Sequence, residues 1–238
     1  MEIIKDKIIL IIGATGSIGS KTAKLLAAGG AQLFIAGRNK EKLIALAKEV
    51  NLPSDKIFPF DICNPQDIDA LKDYFFSQYT SIDVLINAAG IGVIKPMDEL
   101  SADEFTRTIN TNLTGPFLVL KSFLPKMKEN KKGLVIHIPG ILGKVPMAGS
   151  TAYSASKYGL VGMLQSVREE IKRTEIRITN LFLGGVDTAF WDSIDLRIQR
   201  DKMIIAGEAA KAIWFLCQQP ASGVVSEMVI QPFNHQVI

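Results

Sequence analysis

The sequence predicts an α/β fold, a doubly wound parallel sheet of about seven strands with helices on both faces. Two observations carry this. Short runs rich in Ile, Val and Leu recur between longer helical patterns, and the first run ends in a glycine-rich turn that opens a helix. Strands buried on both faces need nearly continuous apolar sequence, and most of these runs supply it. At 238 residues the chain has room for one large domain of this kind.

In chain order, strand-like runs fall at residues 7–12, 32–36, 56–60, 83–86, 133–138, 177–183 and 227–230. Helical patterns fall between them at 18–28, 40–50, 65–78, 102–128, 152–173 and 208–218. Strand alternating with helix calls for parallel pairing through right-handed crossovers. No internal repeat, low-complexity tract or Pro/Gly-rich linker interrupts the pattern, so residues 1–238 read as a single domain. The segment 184–207 has weaker periodicity. It reads as an insertion at the carboxyl end of the sixth strand, where ligands bind in open α/β sheets.

Composition narrows the function classes. Hydrophobic residues make up 47% and charged residues 21%, as in a globular protein with a substantial core. The net charge is +3 and the basic residues are dispersed. The densest group, Lys126, Lys128, Lys131 and Lys132, reads as a solvated helix end, so no nucleic-acid partner is expected. Cys63 and Cys217 stand at no ligand spacing and suit a reducing compartment. With only His137 and His235 present, no metal site is expected. The start of the chain lacks the order of a signal peptide, and the apolar run at 8–12 is too short to span a bilayer. The expectation is a cytoplasmic protein with no membrane partner.

The first strand runs into Gly13-Ala14-Thr15-Gly16-Ser17-Ile18-Gly19 and then a helix. Glycines allow a tight turn and close backbone approach, and a helix N-terminus offers N–H groups and a positive dipole to a phosphate. After the first strand of a β-α-β unit this is a nucleotide-site signal, although a merely tight turn has the same composition. The second strand ends Ala36-Gly37-Arg38-Asn39. An acid here would bind a ribose 2′-hydroxyl, whereas an Arg accommodates a 2′-phosphate, so Arg38 favours NADP(H) over NAD(H). Asp61 follows the third strand, where it either accepts from an adenine amino group or caps the next turn.

Tyr153 and Lys157 stand four residues apart, which stacks them on one helix face. A phenol loses its proton near pH 10, and a neighbouring ammonium favours the phenolate. The pair can therefore move a proton to or from a substrate oxygen. A lone Tyr-x-x-x-Lys is more often an ordinary helix face; the company it keeps decides.

Taken together these residues resemble the short-chain dehydrogenase/reductase family over about residues 7–232. The matching pieces are the glycine turn, Asp61, Asn87-Ala88-Ala89-Gly90, Asn112-Leu113-Thr114-Gly115, the Tyr153/Lys157 pair and Gly185-Val186-Asp187-Thr188. The C-terminal Ser226–Pro232 stretch is similar to a subset that contains NADP-dependent carbonyl reductases. The resemblance implies a Rossmann-like fold and hydride exchange between a nicotinamide cofactor and a small carbonyl or alcohol. It gives Tyr153 the role of proton donor. Lys157 would hold the nicotinamide ribose and lower the Tyr153 pKa, and Asn112 would hold a water linking Lys157 to solvent. Gly13, Thr15, Gly16, Ser17, Ile18, Gly19, Arg38, Asp61, Ile62, Asn87, Ala88, Gly90, Val186 and Thr188 would surround the cofactor. It also implies a homodimer or homotetramer.

Three departures qualify it. Pro139-Gly140 stands where the family usually has a serine pair, so Gly140 supplies no hydroxyl to the reacting oxygen. Losing one such donor costs on the order of 10² to 10³ in rate. Ser150 is a substitute donor or a helix N-cap. The glycine spacing is GxxGxxG rather than TGxxxGxG, and Leu183-Gly184 replaces the usual Pro-Gly. Phe190 and Trp191, with Ile194, Leu196 and Ile198, supply an apolar lid or one more packed turn; Arg197 and Arg200 are its candidate charges. Two functional readings follow: a carbonyl/alcohol oxidoreductase, and a cofactor-binding protein of weak or no turnover.

Overall fold

The structure is a computed structural model that describes residues 2–194, 196, 198–220 and 222–236. Seven parallel strands form its sheet: β1 (Ile8–Ile12), β2 (Gln32–Gly37), β3 (Ile57–Pro59), β4 (Val84–Asn87), β5 (Lys132–His137), β6 (Glu175–Leu183) and, after two short strands, β9 (Glu227–Ile230). Their order is β3-β2-β1-β4-β5-β6-β9. The chain winds outward from β1 in one direction and from β4 in the other, and a crevice opens where the direction reverses.

Helices α1 (Ser17–Ala28), α2 (Lys40–Glu49) and α7 (Ala206–Leu216) cover one face, packing Leu26, Leu43 and Ile213 onto Ile9, Ile11 and Ile86. Helices α3 (Pro65–Gln78), α5 (Gly115–Asn130) and α6 (Thr151–Ile171) cover the other, packing Leu71, Phe123 and Leu164 onto Leu10, Leu85 and Val135. Such fully buried aliphatic and aromatic side chains each contribute about 1.5–3 kcal/mol relative to exposure.

Side chains cap the starts of three helices. Asn39 caps α2 through Lys42 N–H at 2.7 Å, and Asn64 caps α3 just ahead of Pro65. A reciprocal Ser101/Glu104 capping box starts α4 (Ala102–Ile109). No side chain caps α1, whose first turn opens on the crevice.

The pattern at 102–128 is not one helix. A π-turn over Asn110–Thr114 separates α4 from α5. Gly115 N–H bonds to the carbonyl of Asn110, and Pro116 has no N–H to offer the carbonyl of Asn112 four residues back. The insertion at 184–207 also holds regular structure: β7 (Val186–Asp187) pairs in parallel with β8 (Ile204–Ile205).

Candidate active site

A cleft of about 1360 Å³ lies along the carboxyl ends of β1, β2, β4, β5 and β6. Most of the expected site residues line it: Gly16, Ser17, Ile18, Gly19, Arg38, Asp61, Ala88, Gly90, Gly140, Tyr153, Lys157, Val186, Thr188, Phe190 and Trp191.

At one end the glycine turn is built for close approach. Gly13 takes φ +75°, and a side-chain carbon there would come within 2.5 Å of Ala89 N. One at Gly19 would meet the Gly13 carbonyl at 2.4 Å. Gly16 N–H bonds that same carbonyl at 3.1 Å. The uncapped first turn of α1, with no acidic residue in it, therefore faces the cleft as an anion cradle. Arg38 lies exposed on the cleft wall, and a side-chain carbon on Gly37 would lie 3.5 Å from the Thr15 hydroxyl. These residues fit a phosphorylated dinucleotide. Asp61 does the second of its two expected jobs, accepting from Cys63 N–H at 2.9 Å, and it lines the cleft as well.

Other expected residues stand behind the wall. Ile62 is buried against Gly115, and the Asn87 side chain accepts from Ala89 N–H at 3.1 Å. Asn112 is fully buried. Its amide exchanges hydrogen bonds with both backbone groups of Ile91, at 2.9 Å each, and donates to Ser156 Oγ at 3.1 Å. The side chain is thus occupied in tying the β4 loop to α6.

Near the middle of the cleft α6 presents Tyr153 and Lys157. Lys157 donates to the Ile138 carbonyl at 3.2 Å and stands 5.4 Å from the Tyr153 ring centre. Here one expectation is corrected. Burial pushes the Tyr153 phenol up to about 12 and the Lys157 ammonium down to about 8, so desolvation sets both values in the free protein. Tyr153 holds its proton at neutral pH, as a donor must.

Gly140 lines the cleft beside Tyr153 and takes φ +72°. Ser150 stands at the N-cap position of α6, as one of its two readings expected, but its side chain is used elsewhere. It is buried, donates to the Met147 carbonyl at 2.6 Å and shares a bond with Ser154 Oγ at 2.7 Å. It makes no side-chain cap to α6 and does not line the cleft. The Ser150 site is spent on the 147–154 corner instead.

The lid closes the far end. Phe190 stands edge-on to Tyr153 with ring centres 5.6 Å apart, and it fills the space above Gly92. A side-chain carbon on Gly92 would fall 2.1 Å from Phe190 Cζ. Thr188 accepts from Phe190 N–H, and the Trp191 indole donates to the Val186 carbonyl at 2.9 Å. Arg200 pairs with Asp192 at 2.5 Å and Asp187 at 3.7 Å; Arg197 lies outside the described residues. Sequence reasoning missed Gly92 and the C-terminal Gln231, Asn234 and His235, which also line the cleft. They get there because Gly184 lets Pro232 pass where a side chain would clash at 2.5 Å. The one available signal was the glycine itself.

Among the described residues, no His/Cys/Asp/Glu group is placed to hold a metal, and no helix is long and apolar enough to cross a membrane.

A sequence profile of the family described as short chain dehydrogenase matches residues 7–198. An uncharacterized oxidoreductase of Staphylococcus aureus strain MW2 is 31% identical over 232 residues, 98% of this chain and 100% of that protein. A second, from Staphylococcus saprophyticus, is 30% identical over 246 residues and all of both chains. Among solved structures, a metagenomic short-chain oxidoreductase in complex with NADP is 27% identical with a TM-score of 0.82, over 96% of this chain and 99% of that one. An alcohol dehydrogenase from Thermococcus sibiricus complexed with 5-hydroxy-NADP, 24% identical with a TM-score of 0.85 over 98% and 99% of the two chains, shares the fold.

Proposed function

The chain belongs to the short-chain dehydrogenase family, and from that premise we propose that it is an NADP(H)-dependent oxidoreductase interconverting a carbonyl and an alcohol, with Tyr153 as the proton donor. The observation that carries this reading is the placement of a protonated Tyr153, Lys157 and an uncapped glycine turn along one cleft.

The first turn of α1 would hold the pyrophosphate, and Arg38 would meet the 2′-phosphate. NADP(H), when bound, would supply or take the hydride. Lys157 would donate to the ribose hydroxyls and favour the ionised form of the Tyr153 phenol as its proton passes to the substrate oxygen. Ile141, Leu142, Val145 and Phe190 exclude water from that transfer. The substrate end is largely apolar, which suits an uncharged carbonyl compound.

The test is NADPH oxidation over a panel of carbonyl compounds. Tyr153→Phe should lose about 10² to 10⁴ in turnover while still binding NADPH. A phenylalanine variant as active as the parent removes Tyr153 from the mechanism. Gly140 favours a second reading, a cofactor-binding protein of weak turnover. Tight NADPH binding with no turnover across the panel supports that reading instead.

A further inference from the structure

Beneath α6 a row of polar side chains crosses the sheet. Asn87 of β4 is in register with His137 of β5, His137 with Asn180 of β6, and Asn180 with Glu227 of β9. Register partners in a parallel sheet share a face. Leu85, Val135 and Ile178, each two residues earlier, point into the layer packed by α3, α5 and α6. The row therefore lies under the helix that carries Tyr153 and Lys157.

Its two ends are satisfied. Asn87 accepts from Ala89 N–H, and Glu227 pairs with Lys144 at 2.6 Å. The middle is not. His137 is 1% exposed and Asn180 fully buried, yet neither ring nitrogen of His137 and neither amide atom of Asn180 has a hydrogen-bond partner. Unpaired polar atoms at such depth are rare, and the usual occupant of a polar site with both donors and acceptors is water. His137 is uncharged there: burial, then the Lys157 and Arg168 charges of α6, push it down to about 3. Arg168 is itself turned to the Ile178 and Ser226 carbonyls, at 3.2 and 2.7 Å.

Position links this pair to the candidate chemistry. The carbonyl that Lys157 grips belongs to Ile138, the residue after His137. We propose that His137 and Asn180 together hold ordered water in a closed site beneath α6, and that this water makes His137 a positioning residue for Lys157. The second half rests on the role given to Lys157 above. The water would act on Lys157 through the end of β5, which carries the Ile138 carbonyl that Lys157 grips, with the Tyr153 ring 5.4 Å away. Arg168, Glu227 and Lys144 stand farther along the row.

Three measurements test it. A high-resolution crystal structure of the full chain should show at least one water bonded to both His137 and Asn180; a direct bond between the two side chains and no water overturns the site. In denaturant unfolding, His137→Leu and Asn180→Leu should each lower the midpoint, and the double variant should lose clearly less than the sum, since each single change strands the other partner. Additive losses overturn the shared site. For the positioning half, the pH dependence of NADPH binding is followed in Asn180→Leu, so that no turnover is needed. Removing the water loosens the Ile138 carbonyl's hold on the ammonium, and the alkaline limb should move to lower pH by about one unit. An unmoved limb alongside a non-additive cycle leaves a structural water and overturns the role for Lys157.

Discussion

A side-chain carbon built on Gly140 would lie 3.7 Å from the Tyr153 hydroxyl, in ordinary van der Waals contact, yet Gly140 sits at φ +72°, where side chains are strained. Space for a serine exists; the backbone for it does not. Gly140→Ser should cost about 1–3 kcal/mol of stability and leave turnover unimproved, because relieving the strain turns the hydroxyl away. Denaturant unfolding and NADPH-supported turnover of the variant check both halves. A stable, faster variant would show that the missing hydroxyl alone limits the site.

That strain also marks how far the sequence could be read. The strands, their parallel pairing and the glycine turn were legible because apolar runs and glycine spacing act locally. The positive φ of Gly140 was not, since a glycine in sequence shows only that a side chain is absent. Ser150 was misjudged for a related reason: its Met147 and Ser154 partners depend on the fold of the corner. The π-turn escaped although Pro116, in the middle of the 102–128 pattern, marked a break, because a proline does not show how the helix resumes after it. Desolvation of Tyr153 and Lys157 likewise needs the packed environment.

Lys157 should oppose folding at neutral pH. Its folded pKa, about 8, lies below the 10.5 of the unfolded chain. The unfolded state thus binds more protons between these values, and stability rises with pH across that window. Below it the penalty is about 3 kcal/mol, offset by about 1 for the bond to Ile138. Lys157→Met should therefore be about 2 kcal/mol more stable than the parent at pH 7, while losing turnover. That advantage should shrink between pH 8 and 10.5, as unfolding at several pH values will show.

Arg38 should govern cofactor choice. Replacing it with alanine removes one charge-assisted contact to a 2′-phosphate, raising the KM for NADPH about tenfold to a hundredfold. The KM for NADH should change less than threefold on the order of this estimate. Parallel titrations with the two cofactors check it, and equal losses would place Arg38 away from the phosphate.

Gly92 and Phe190 should behave as one unit. Gly92→Ala pushes the Phe190 ring off Tyr153, at a cost of roughly 1–3 kcal/mol in kcat/KM or stability. In a Phe190→Ala background the same change should have little effect. A double-mutant cycle on kcat/KM measures the coupling, and Phe190→Ala alone should admit bulkier carbonyl compounds.

The π-turn between α4 and α5 amounts to a phase shift. A helix advances about 100° per residue, so absorbing one extra residue rotates everything before it relative to everything after. That rotation brings Thr108 of α4 onto the same side as Leu120 and Met127 of α5, all three buried. A straight helix would leave Thr108 about 100–120° away from them. What this stretch must preserve is its number of residues as much as their kinds.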